Sequence, residues 1–489
     1  MDACNETKAF WSAFGGHPNA NVYSLSSYPH FLLYRCFEIS CSFFNTYERL
    51  YSQPALFRKK VRHIMVAFIF SSFFVFLFLS VPIGVMLLLV TGLTLEFFTG
   101  APLTILPQQI FSALDSFVLQ SVPLFILAGN IMSEGAIARK LVEVMNTIVG
   151  SIHGGLAIAS VMACMFFAAI SGSSPATVIA IGSIMMPALI KMGYGKRFSI
   201  GLLTSAGSLG ILIPPSIPMV LYCLVMDVSV GKLFMAGFLP GIFIGLALIG
   251  YSYFMSRKYN WKHKTHYTWR QRVDIIKSGI WGIMLPVIVL GGIYGGIFTP
   301  TEAAAVSVIY SILVELFIYK ELKFSKFSKI LRDSSILAAC LLFIISSAMT
   351  FVWLLTSEEL TVRAADFITS VVGNKYAFLL LINILLLIVG CFMDIVSAIV
   401  VISPILLITL NRYNIDLIHF GIIMIINMEC GFITPPFGLN LFVSMGMTKE
   451  SLQEVGRSVL PFIIIFILCL FFITYVPILS LLLPKLLLR

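Results

Sequence analysis

Residues 66–79, 279–298, 377–392 and 460–483 contain no charged side chain at all. A helix crosses the ~30 Å hydrocarbon core of a bilayer with roughly 20 apolar residues at ~1.5 Å rise each, so runs of this kind read as membrane spans. About ten to twelve candidate segments follow from the same criterion. Composition agrees, with 59% of the 489 residues hydrophobic and 11% charged, where a soluble domain carries about a quarter charged residues. A soluble globule cannot cover that much apolar surface. The expected fold is an all-α polytopic membrane protein.

The net charge of +10 does not mark a nucleic-acid surface, because the basic residues fall in short loops between apolar runs. Between positions 257 and 277, Arg257, Lys258, Lys262, Lys264, Arg270, Arg272 and Lys277 face one acid, Asp274. Lys320, Lys323, Lys326, Lys329 and Arg332 form a second cluster. Cytoplasmic loops are enriched in Lys and Arg, which puts both clusters in the cytoplasm. The nine cysteines are scattered without C-x-x-C spacing, so neither a disulfide framework nor a zinc site is indicated.

Residues 1–64 mix polar and aromatic side chains, end in Arg58-Lys59-Lys60-Val61-Arg62, and give way to the apolar pattern at Met65. They lack the charged segment, apolar core and cleavage site of a secretory signal. The expectation is that Met65 is the initiator and that 1–64 lie outside the native fold. The alternative is a genuine, weakly folded extension. The rest divides into a membrane repeat at 65–256, a basic cytoplasmic loop at 257–277 and a second membrane repeat at 278–489.

Internal symmetry supports that division. Leu79-Ser80-Val81-Pro82-Ile83 parallels Phe298-Thr299-Pro300-Thr301, and Pro123-Leu124-Phe125 followed by RKLVEVMNTIVG from Arg139 parallels Thr350-Phe351 followed by RAADFITSVVG from Arg363. Pro187 before a loop with Tyr194 parallels Pro404 before a loop with Tyr413, and GILIPP from Gly210 parallels GFITPP from Gly431. The partners stay roughly 220 residues apart, in one order. The loop after Pro187 is basic (Lys191, Lys196, Arg197), whereas that after Pro404 has Arg412 balanced by Asp416. Opposite charge bias at equivalent positions predicts inverted-topology repeats related by a pseudo-two-fold axis in the membrane plane. It also places the chain before Val66 outside.

Chemistry is expected where the apolar helices break. Ser171, Gly172, Ser173, Ser174, Pro175 and Thr177 interrupt an apolar stretch at 156–190 that is too long for one straight crossing. Proline and glycine there free backbone carbonyls, which with the hydroxyls are hard oxygen ligands of the kind Na⁺ needs. Small residues that merely let helices pack closely are an equal alternative. Gly210, Pro214, Pro215 and Ser216, with Gly431, Pro435, Pro436 and Asn440, mark a second, symmetric pair of breaks, where half-helix ends can face ions or a substrate. A ligand-free kink is the alternative.

Ionisable groups inside apolar runs default to functional hypotheses. Asp394, close to Ser397, and Glu429 are therefore site candidates. Glu302 follows Thr299-Pro300-Thr301 and reads as a helix cap, and Glu315 reads as snorkelling toward the basic loop. The segments 114–132 and 336–356 read as re-entrant hairpins leading into amphipathic arms, with ordinary spans as the alternative.

The motifs VPLFILAGNIM (122–132), SGSSPATVIAIG (171–182), ILIPPS (211–216), LFMAGFLPG (233–241), FTPTEAAA (298–305) and ECGFITPPFGLNLF (429–442) resemble the large membrane subunit of tripartite ATP-independent periplasmic (TRAP) transporters. The resemblance runs from about Met65 to Pro484. It implies an elevator-type, ion-transporter-like secondary transporter of a bacterial inner membrane, driven by Na⁺ without ATP or other cofactor. It further implies two partners, a small four-helix membrane subunit and a periplasmic solute-binding protein delivering an organic acid such as a C4-dicarboxylate, sialic acid or a keto acid. By position, the resemblance assigns cation ligation to Ser171, Gly172, Ser173 and Thr177 in one half and to Asp394, Ser397 and Thr434 in the other.

The chain has no G-x-x-x-x-G-K-[ST] nucleotide loop and no H-E-x-x-H cluster, which disfavours ATP-driven transport and intramembrane catalysis. The alternatives are a carrier that needs no binding protein, such as a dicarboxylate symporter or antiporter, and a membrane enzyme or scaffold.

Overall fold

A computed structural model describes residues 55–261, 268–322 and 324–487. Most of the 1–64 segment and the middle of the 257–277 loop, with Lys262 and Lys264, therefore lie outside the described residues, as does Lys323. Among the described residues every regular element is helical. Eight helices are long and apolar enough to cross a membrane, or up to ten when two bent pairs each count as one span. The upper count meets the low end of the sequence expectation, and several further apolar runs form shorter helices of 10–17 residues.

The chain separates into two compact units, Met1–Gln108 and Gln109–Arg489. In the first, α1 (Ala55–Phe78) packs on α2 (Ile83–Thr94). Helix α1 begins upstream of Met65, so the boundary expected there falls inside a helix. Helix α3 (Ile105–Leu114) leads into the second unit.

There the first half runs α4 (Ser121–Glu134), α5 (Ile137–Val149), α6 (Gly155–Ser171), α7 (Ser174–Lys191), α8 (Lys196–Gly207), a 3₁₀ turn (Ser208–Ile211), α9 (Ile217–Met226) and α10 (Val230–Lys258). Two connecting helices follow, α11 (Trp269–Tyr294) and α12 (Pro300–Leu313). The second half runs α13 (Phe324–Ser357), α14 (Leu360–Val371), α15 (Lys375–Gly390), α16 (Ile395–Arg412), α17 (Leu417–Phe432), α18 (Leu439–Thr448), α19 (Leu452–Tyr475) and α20 (Ile478–Leu487).

Three pairs of helices agree in length between the halves. Helices α6 and α15 have 17 and 16 residues, α7 and α16 have 18 each, and α9 and α18 have 10 each. Packing is reciprocal as well: α9 lies on α16 and α18 on α7, while α8 lies on α19 and α17 on α10. Helix α5 packs on α6, α7 and α11, and α14 packs on α16 and α13. Helix α5 buries Ile137, Leu141, Val144 and Met145, a face with helical spacing.

The structure overturns two local expectations. Residues 336–356 form no hairpin but lie inside the unbroken 34-residue α13. That helix contains neither Gly nor Pro, so nothing in it ends a helix. Glu315 does not snorkel: it is fully buried and accepts the backbone N–H groups of Ala136 (3.0 Å) and Ile137 (3.1 Å) at the start of α5. A carboxylate there satisfies orphan donors and the positive end of the helix. Gly135 makes room for it, since a Cβ would stand 2.1 Å from Glu315 Cδ. Glu302 caps α12 as expected, in a reciprocal capping box with Thr299.

Candidate functional site

Each half contains one break between its paired helices, and the breaks are built differently. In the first, α6 stops at Ser171 because Gly172 turns left-handed (φ 58°), and Ser173 is extended before Pro175 restarts α7 in its first turn. Glycine suits that turn because the left-handed region strains other residues. The hydroxyls then converge. Ser171 Oγ lies 3.0 Å from Thr177 Oγ1 and donates to Ser173 O (3.2 Å), to which Thr177 Oγ1 also donates (2.8 Å).

In the second half, α15 stops at Gly390 and Asp394 caps α16. Asp394 Oδ2 accepts from Ser397 N (3.0 Å) and Oδ1 from Ser397 Oγ (2.5 Å). A carboxylate has about four acceptor sites, so capping leaves lone pairs free on both oxygens.

The diproline turns dock on these breaks. Pro214-Pro215 and Pro435-Pro436 are both cis, and they separate the 3₁₀ turn from α9 and α17 from α18. Ile217 N donates to Gly172 O (3.4 Å), and a Cβ on Gly210 would meet Ser173 O at 2.6 Å and Thr177 Oγ1 at 2.7 Å. On the other side, a Cβ on Gly431 would meet Gly390 O at 2.3 Å. In both halves, then, a glycine ahead of the diproline allows close contact with the break. Thr434 Oγ1 donates to Cys430 O (2.6 Å), its nearest carbonyl acceptor.

Both breaks open on one cavity of about 680 Å³. Of the expected site residues, Ser171, Gly172, Ser173, Ser174, Pro175 and Asp394 line it. Thr177, Gly210, Pro214, Pro215, Ser216, Ser397, Glu429, Gly431, Thr434, Pro435, Pro436 and Asn440 do not. Instead, Ile211, Ile217, Phe432 and Leu439 bring the diproline segments to its wall. Sequence reading did not place Asn130 of α4 or Lys326, Lys329 and Asp333 of α13 at the site, yet all four line the cavity. Their only sequence signal, the Lys326/Lys329 basic cluster, read as topology. Asn130 Nδ2 donates to Ser334 Oγ (2.8 Å), tying α4 to α13.

Behind the wall lies a buried polar cluster in which Ser174 Oγ donates to Glu429 Oε1 (3.0 Å) and Asn440 Nδ2 donates to Ser174 Oγ (2.6 Å) and Ser208 Oγ (2.9 Å). Glu429 and Asn440 thus meet the first half, as expected of site residues, through hydroxyls rather than on the cavity. Ser208 was not anticipated. Among the described residues no group of three or more His, Cys, Asp or Glu is arranged to hold a metal ion. The oxygens on offer at the first break are hydroxyls and carbonyls, which suit a hard cation.

A family model described as "Tripartite ATP-independent periplasmic transporter, DctM component" matches residues 70–479. The C4-dicarboxylate TRAP transporter large permease protein DctM of Pseudomonas aeruginosa is 43% identical over 394 residues, 81% of this chain and 92% of that protein. The sialic acid TRAP transporter large permease protein SiaM of Vibrio cholerae is 32% identical over 410 residues, 84% of this chain and 96% of that one. The isethionate TRAP transporter permease protein DctMQ of Oleidesulfovibrio alaskensis is 41% identical over 410 residues, but the match spans 65% of its length. Among solved structures, the Alcanivorax borkumensis YdaH transporter, described as having an unusual topology, matches with a TM-score of 0.57 at 12% identity, over 77% of this chain and 87% of that one. That last likeness concerns the fold alone.

Proposed function

Because this chain belongs to the DctM-component family of tripartite ATP-independent periplasmic transporters, we propose that it carries an organic acid inward across the membrane by Na⁺-coupled, elevator-type alternating access. It is a multi-pass protein of the bacterial inner membrane, and its relatives are permeases rather than enzymes. In this reading its partners are a small four-helix membrane subunit and a periplasmic solute-binding protein. Its substrate is a C4-dicarboxylate, sialic acid or a related acid, as in the names of its relatives.

The observation that carries the reading is the single cavity onto which both helix breaks open. Ser171, Thr177 and the Ser173 carbonyl would hold a cation on one side, with Gly172 keeping the turn open. Asp394 and Ser397, with the Thr434 segment, would do so on the other. The N-terminus of α7 and the side chains of Lys326 and Lys329 offer positive groups to an anionic substrate, beside the carboxylates of Glu134, Asp333 and Asp394 on the same wall. Two-fold related halves with inverted topology let one moving unit present this cavity to each side in turn.

The test is uptake of labelled acid into proteoliposomes holding this chain, its small partner and the binding protein, with and without a Na⁺ gradient. Uptake that needs the binding protein and the gradient supports the reading. Full uptake without the binding protein would assign the chain to independent carriers. Within that assay, Ser171→Ala is expected to raise the Na⁺ concentration for half-maximal uptake by roughly 5- to 30-fold, the effect of ~1–2 kcal/mol. An unchanged Na⁺ dependence would remove the Ser171 hydroxyl from the ligand set.

A further inference from the structure

The side chains of Ser208, Asn440, Ser174 and Glu429 form a hydrogen-bonded chain that joins the 3₁₀ turn after α8, α18, the start of α7 and α17. Both amide hydrogens of Asn440 are used, one on Ser174 Oγ (2.6 Å) and one on Ser208 Oγ (2.9 Å). Ser174 Oγ in turn donates to Glu429 Oε1 (3.0 Å), while Ser208 Oγ donates to Thr204 O (3.3 Å). All four residues are 0% exposed. The cluster nevertheless leaves two acceptors with no hydrogen-bond partner, Glu429 Oε2 and Asn440 Oδ1.

Each buried acceptor left empty costs about 1–3 kcal/mol, a cost that Asn427 Oδ1 also bears; what sets this cluster apart is that one of its empty acceptors belongs to a carboxylate. The charge is a larger cost, because an isolated carboxylate in an apolar interior must be neutralised or paired. None of the ion pairs among the described residues involves it. The basic residues of α7 and α8, Lys191, Lys196 and Arg197, stand at the ends of those helices away from the cluster, and α18 carries no charged residue. Those of the other helices packed on α17 are Lys232, Arg257 and Lys258 of α10, Lys375 of α15, Arg412 of α16, Arg457 of α19 and Lys485 of α20. The titratable neighbour on α17 is Cys430, with Cys391 and Cys469 around it. His419 lies in the first turn of α17, far from Glu429 along the helix.

We propose that Glu429 and Asn440 form a site for one monovalent cation, a proton or an alkali-metal ion, set behind the cavity and reached past Ser174, which lines it. The bound charge completes both empty acceptors. Since Ser174 and Ser208 come from the first half and Glu429 and Asn440 from the second, occupancy ties the halves together at their breaks. The site is distinct from the Ser171–Thr177 oxygens and stands whether or not Na⁺ drives uptake, because the buried carboxylate needs a positive charge in either case.

Melting of the purified full-length chain, followed at low and high Na⁺ with choline balancing ionic strength and at acid and alkaline pH, tests this. Binding to the folded state raises the melting temperature. Glu429→Gln carries no charge and is expected to lose one response: part of the Na⁺ response if the occupant is the metal ion, the acid response if it is a proton. Gly446→Ala, whose Cβ would meet nothing within 4 Å, is expected to keep that same response. Asn440→Asp adds a second carboxylate and is expected to move the midpoint by roughly tenfold in Na⁺, or about one pH unit, toward tighter binding. Should Glu429→Gln fail to fold, Asn440→Asp decides alone. Variants that elute like the wild type and keep its Na⁺ and pH responses unchanged overturn the site. Failure of Na⁺-driven uptake, by contrast, would overturn only the functional reading.

Discussion

Gly431→Ala adds one methyl group where the structure has backbone. The new Cβ would lie 2.3 Å from Gly390 O, 2.4 Å from Gly390 C and 2.6 Å from Gly390 Cα. Non-bonded carbon contacts are comfortable near ~3.5 Å, so the helices must separate by about 1 Å. The obstacle is main chain and cannot swing aside. Over-packing costs typically ~1–3 kcal/mol, and a backbone clash belongs at the upper end, ~3 kcal/mol. Alanine's better helix propensity returns up to ~1 kcal/mol, which leaves ~2 kcal/mol of net destabilisation. Because Gly390 ends α15 just before Asp394 on the cavity wall, the same shift is expected to reduce uptake about tenfold or more, the factor that ~1.4 kcal/mol carries. Unfolding in mixed detergent–SDS micelles and uptake in proteoliposomes measure the two effects. Gly446→Ala is the control, since its Cβ would meet nothing within 4 Å. A Gly431→Ala protein as stable and as active as Gly446→Ala would refute the contact.

Glu315→Ala strands the N–H groups of Ala136 and Ile137 and is expected to cost ~2–3 kcal/mol, and Gly135→Ala, which displaces the same carboxylate, should be non-additive with it; additive losses in the double mutant would show that the cap is not the shared cause. Asn383→Ala breaks a buried chain in which Asn427 Nδ2 donates to Asn383 Oδ1 (2.6 Å) and Asn383 Nδ2 to Thr474 Oγ1 (3.2 Å). A loss of ~1–3 kcal/mol is expected, partly recovered in Asn383→Leu/Asn427→Leu, where both amides are gone; no recovery would point to packing rather than hydrogen bonding.

The spans and their interruptions were legible in the sequence because both are local. Uncharged runs have one solvent they can face, and Gly172, Pro175 and the diprolines end helices by their own stereochemistry. The 34-residue α13 was misread because clustered Ser346 and Ser347 resemble a break; their hydroxyls instead donate to Phe343 O within the helix, at 3.0 and 2.7 Å. Long-range polar pairing was not legible. Glu315 finds its partners about 180 positions earlier in the chain, a separation at which no spacing rule operates. Ser208 is one serine among many until folding sets it beside Asn440. Thr177 shares the sequence break with Ser171, but its full burial behind the cavity wall depends on where Gly210 packs.

The exchange of helices between halves bears on biogenesis. When a ribosome has released the first half, α9 has been made but its seat, α16, has not, and α7 waits for α18. Neither half can complete its own helix packing and buried polar contacts alone, so the newly inserted front portion must be kept from wrong neighbours until the remainder is threaded in. Damage late in the gene therefore exposes the early helices, and a truncated product becomes an incomplete socket open to degradation.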